Sequence, residues 1–88
     1  MEENTQEKEI QYSKLSFEEM KELAEQGVEE AQNNLARCYQ KGLGVEKDLV
    51  KALEWANKAA ENGDEKAKVT VQDILQEMNE LSPRYFDD

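Results

Sequence analysis

Leu23-Ala24-Glu25-Gln26-Gly27 returns thirty-six positions later as Ala59-Ala60-Glu61-Asn62-Gly63, and Ala31 falls in the same register on Ala67. A fixed period of roughly twenty to fifty residues marks stacked supersecondary units. Between the two blocks lie two amphipathic stretches separated by a pair of glycines, Gly42 and Gly44. The reading that follows is an all-α helical hairpin repeat, a class that presents surface to other molecules.

Outward from that period, the punctuation predicts four helices. Ser16 followed by Glu19 is a capping box that opens a helix over Phe17 to Gln26, and Gly27 closes it. A second helix runs from Glu29 to Lys41, with acids in its first turn, Lys41 in its last, and an apolar stripe of Ala31, Leu35, Cys38 and Tyr39. Gly42 and Gly44 reverse the chain, and Leu43 and Val45 are expected to pack back onto the helix ends. Asp48 caps a third helix to about Asn62, whose Ala52, Ala56, Ala59 and Ala60 make a narrow face suited to close helix approach. Asp64 caps a fourth from Glu65 to Leu81, with Ala67, Val71, Ile74, Leu75, Met78 and Leu81 expected on its buried side; Pro83 limits its continuation.

The positions Ala31, Asn34-Leu35-Ala36, Tyr39, Gly42-Leu43-Gly44-Val45, Asp48, Lys51-Ala52, Trp55, Lys58-Ala59-Ala60-Glu61 and Gly63 together resemble one repeat of the Sel1-like family, a relative of the tetratricopeptide repeat. The resemblance implies a short right-handed α/α superhelix of about four helices, one full repeat flanked by two half-repeats, and an adaptor or scaffold role. It places the domain at residues 15–82, between an acidic tail at 1–14, read as mobile, and a C-terminal tail at 83–88. It also implies a concave groove lined by Glu30, Asn33, Arg37, Gln40 and Lys41 from the second helix and by Lys66, Val69, Asp73, Gln76 and Glu77 from the fourth. Asn33 and Arg37, four apart, share one helical face, where an amide and a guanidinium suit a peptide carboxylate or backbone.

Composition narrows the function classes. Eighty-eight residues make one small domain, with no room for a separate catalytic one. Twenty-one acids against eleven bases give a formal charge of -10, which opposes binding to nucleic acid or an anionic membrane and favours a protein or peptide partner, neutral or basic. The stretch from Ala31 to Lys47 is the exception, with Arg37, Lys41 and Lys47 against Glu46. The chain has no histidine and one cysteine, so Cys38 reads as a small apolar filler rather than a nucleophile, and no intrachain disulfide forms. The acids Glu18, Glu19, Glu22, Glu29 and Glu30 lack calcium-ligand spacing and read as a solvated surface. No cofactor, metal or catalytic residue is expected. The lone cysteine, the lack of a signal or spanning segment and the Met1 start read as a whole cytoplasmic protein.

Tyr39 and Trp55 read as fillers between helices, while Tyr85 and Phe86 either cover the fourth helix or meet another molecule. A homodimer through exposed repeat ends stays open. The competing reading is a small acidic inhibitor, immunity or antitoxin-like protein that masks a basic surface of its target.

Overall fold

The structure, a computed structural model, describes residues 15–81; residues 1–14 and 82–88, including Tyr85 and Phe86, lie outside that span. It contains four helices and no strand among the described residues: α1 (Phe17–Glu25), α2 (Glu29–Lys41), α3 (Leu49–Glu61) and α4 (Glu65–Leu81). Each starts and stops where local chemistry dictates. The Ser16 hydroxyl accepts from the Glu19 N–H at 3.1 Å while the Glu19 carboxylate accepts from the Ser16 N–H at 3.0 Å, so two otherwise orphaned donors are satisfied reciprocally. The Asp48 carboxylate accepts from the Lys51 N–H at 3.0 Å, and that of Asp64 from the Lys66 N–H at 2.9 Å. At the other end of α2, Gly42 takes φ +73°, a left-handed conformation that an L side chain resists, and its N–H returns to the Cys38 carbonyl. Gly44 has φ +74°, and a Cβ there would stand 3.3 Å from the Phe17 Cβ, so the turn also needs glycine for space.

Consecutive helices pack against one another, and α2 also touches α4. The amino end of α2 meets the carboxyl ends of α1 and α3, so neighbours are antiparallel and α2 and α4 run in the same direction. The seam is built from alanines. Ala31, Ala36, Ala52, Ala56, Ala59 and Ala67 have no solvent exposure, which lets the helix axes approach closely around Leu35 and Ile74. Met20 and Ala24 seal α1 onto this core, and Phe17 meets Tyr39 edge to face with ring centroids 5.4 Å apart. Trp55 is half-buried beside the carboxyl end of α1, with Lys58 Nζ 5.5 Å from its ring centroid.

One buried polar side chain ties three helices together. Gln32 Nε2 donates to the Ala24 carbonyl at the end of α1, at 3.0 Å, and Gln32 Oε1 accepts from Asn62 Nδ2 at the end of α3, also at 3.0 Å. Both ends of the amide are used, so its burial carries little penalty.

Three expectations about burial are corrected. Leu43 does not pack back onto the helix ends and stays exposed, because the left-handed bends at Gly42 and Gly44 turn it outward; Val45 does pack on the core. Leu75 is 47% exposed and Leu81 is exposed too, although both were assigned to the buried side of α4. The helical period is right, but burial needs a partner: α2 lies between α1 and α3, whereas no described helix follows α4 to cover its outer side.

Ile74→Ala should therefore destabilise the chain by about 3 kcal/mol, through lost burial plus a cavity, and Leu75→Ala by under about 1 kcal/mol. Urea unfolding followed by far-ultraviolet circular dichroism distinguishes the two; equal losses would mean that Leu75 is covered in solution.

Candidate functional site

The parallel course of α2 and α4 brings their facing residues together into a shared surface. At its carboxyl end lies an open, shallow hollow of about 380 Å³ lined by Gln40, Lys41, Asp73, Gln76, Glu77 and Glu80. Five of these six were anticipated; Glu80 was not, though its position four residues after Gln76 signals a shared face, and Gln76 Nε2 reaches Glu80 Oε2 at 3.4 Å. At the amino end, Glu30 and Lys66 line a second hollow with Asp64. Val69 is exposed on α4, and Asn33 is buried on α2.

Arg37 is placed differently from Gln40. It is exposed and lines a third hollow, between α1 and α2, whose floor includes Phe17 and Met20 and whose rim includes Lys41 and Leu43. Asn33 and Arg37 thus sit on one helix but do not line a common hollow. Tyr85 and Phe86 fall outside the described residues.

Two features define the electrostatics of the α2 and α4 face. Lys47, from the turn before α3, donates to Glu77 Oε2 at 2.8 Å, while Gln40 Nε2 donates to Glu77 Oε1 at 3.2 Å. These bonds, with Lys47 first in effect, hold the Glu77 carboxyl below its ordinary value; the charge of Lys41 adds to the shift and modest burial opposes it. Lys47 pairs with Glu77, and Lys41 shares the hollow with Asp73, Glu77 and Glu80, so the excess of bases between Ala31 and Lys47 is answered in part by acids from the fourth helix.

The second feature is unsatisfied polarity. Asn33 is 6% exposed and Gln40 5%, and the buried oxygens Asn33 Oδ1 and Gln40 Oε1 have no hydrogen-bond partner among the described residues. The Gln40 amide cannot be turned over to relieve this, because its oxygen would then face the Glu77 carboxylate. Each such group costs about 1 to 3 kcal/mol unless a donor is supplied.

Other chemistry finds no support here. Among the described residues no group of three or more Cys, Asp or Glu side chains is arranged to hold a metal ion, and no helix is long and apolar enough to cross a membrane. Burial pushes the Cys38 thiol up, away from the thiolate that nucleophilic chemistry needs.

Because the folded value of Glu77 is lowered, its bridge contributes fully above the ordinary 4.5 and is lost as pH falls through the folded value. Lys47→Met should raise the Glu77 titration toward 4.5 and reduce the loss of stability on acidification. Carboxyl carbon resonances followed by NMR across the acid range check this, and an unmoved Glu77 titration would refute the bridge.

The family model described as Sel1 repeat matches residues 29–64, which run from the start of α2 through α3 to the cap of α4. Neither a curated protein nor a solved structure matches the chain. Sel1 repeats are, in general, non-catalytic protein-interaction modules. The helical hairpin of residues 29–64, with its alanine seam and its glycine turn, thus matches one Sel1 repeat, which supports the Sel1-like repeat family.

Proposed function

We propose that this chain is a non-catalytic adaptor that holds a protein or peptide segment along the face shared by α2 and α4. The observation that carries the reading is the pair of buried carbonyl oxygens, on Asn33 and Gln40, that no donor among the described residues satisfies. A fold gains nothing from keeping such groups, whereas a small rotation of either side chain toward the surface would let a partner's N–H donors recover their cost on binding. The mixed charges around Gln40, Lys41 against Asp73, Glu77 and Glu80, suit a segment that carries polar or basic side chains rather than a strongly acidic one.

The charge of -10 supports a second reading, in which the acidic outer surface covers a basic target. Glu18, Glu22 and Glu25 on α1 are exposed and would contribute to such a surface. The two readings differ in their response to salt, since contacts between exposed charges are screened over about 8 Å at physiological ionic strength.

A partner captured from the native source by the full chain, then purified, allows a direct comparison by titration calorimetry. Asp73→Lys combined with Gln76→Ala, both exposed positions, should weaken binding about tenfold or more, equivalent to about 1.4 kcal/mol. Glu18→Gln with Glu22→Gln should change it by less than about twofold, with little dependence on salt. Loss of affinity confined to the α1 variant, with steep salt dependence, would overturn the groove reading in favour of the acidic surface.

A further inference from the structure

The hollow between α1 and α2 occupies the place of a helix that the repeat pattern calls for. In the complete part of the stack, α4 lies against both α3 and α2, and these neighbours leave Thr70 2% and Ile74 0% exposed. Thirty-six residues earlier the same positions on α2 are held by Asn34 and Cys38, which are only half-buried, because no described helix lies on that side. The space left open is about 490 Å³. Its floor is apolar, with Phe17 and Met20, and the exposed Leu43 stands at its edge. Its rim carries Arg37 and Lys41, neither of which is in an ion pair among the described residues. An occupant must therefore bring apolar side chains and negative charge together.

We propose that residues 1–14 of this chain occupy that hollow, with Ile10 and Tyr12 against Phe17 and Met20 and their glutamates toward Arg37 and Lys41. The segment enters at the right place, since Leu15 itself lines the hollow. Its charge is complementary: Glu2, Glu3, Glu7 and Glu9 outnumber Lys8 and Lys14. Its length suffices in any conformation, because fourteen residues span about 21 Å as a helix and up to about 48 Å extended, against about 20 Å for α2. The tether keeps the local concentration near the millimolar range, so a contact too weak to hold a separate peptide holds this one. This hollow is distinct from the one lined by Gln40, although Lys41 borders both, and the proposed contact does not rest on the groove reading.

Cys38, the one thiol in the chain, lines the hollow and reports on its occupancy. Its alkylation by iodoacetamide is measured on the full chain at fixed pH. Ile10→Asp with Tyr12→Asp should speed labelling about fivefold or more by displacing the tethered segment. Arg37→Glu with Lys41→Glu should do the same, although removing nearby cations on its own raises a thiol's pKa and slows the reaction, so an increase reads exposure. Adding Glu7→Lys and Glu9→Lys to that charge reversal should restore the slow rate. Unfolding midpoints by circular dichroism show that the stack is intact, and the charge series, confined at the repeat to exposed side chains, decides the matter if the apolar variant unfolds. Unchanged labelling in both sets of variants overturns the proposal, as does protection that is lost when the wild-type chain is diluted, which would assign the hollow to a second copy.

Discussion

The close approach of α3 to its neighbours is the constraint on which the rest of this small fold depends. Ala52, Ala56 and Ala59 present little more than methyl groups, and Ala31, Ala36 and Ala67 answer them from α2 and α4. With larger side chains on α3 the two flanking helices would be held further apart, and α2 could not touch α4. Their contact creates the surface that carries Gln40, Glu77 and the carboxylates around them. Close packing of the hairpin and formation of the site are thus one event.

Gln32 and Gln40 show two fates for a buried amide on a single helix. Gln32 sits among the carboxyl ends of α1 and α3, where a carbonyl and an amide lie ready on either side, and all of its principal bonding capacity is met. Gln40, two turns further on, faces a carboxylate with its nitrogen and nothing with its oxygen. The first arrangement fastens the stack; the second leaves an acceptor in want of a donor. One period later Lys68 stands in the register of Gln32 and is exposed, so this fastening is made once and not repeated along the chain.

Much of the architecture was legible in the residues because it is written locally. Ser16 with Glu19, Asp48, Asp64 and the glycines place the starts of α1, α3 and α4 and the ends of α1, α2 and α3 to within one residue, since caps and positive φ values depend on near neighbours in the chain. Burial was legible only where a neighbour existed to confer it. The spacing of Leu75 matches that of Tyr39, yet the two differ because exposure is decided by which helix comes next. The role of Gln32 was invisible for a related reason: nothing in its spacing reveals that two helix ends converge on it. The surface charge was half legible. Arg37, Lys41 and Lys47 stood out as a basic stretch, but the carboxylates near Lys41 and Lys47 come from residues thirty or more positions away.

The two ends of the stack are unlike, and that inequality governs what copies of the chain can do to one another. The open flank of α4, with Val71 and Leu75, and the hollow beside α1 are the two halves of a single junction, as the thirty-six-residue translation that relates α2 to α4 requires. Copies joined through them would meet head to tail, a contact that propagates into a filament instead of closing into a pair. A charge of -10 on each subunit opposes such growth, and added electrolyte weakens that opposition. The contact proposed for residues 1–14 would act as a chain terminator in the polymer sense, keeping a repeat unit from becoming a monomer for assembly.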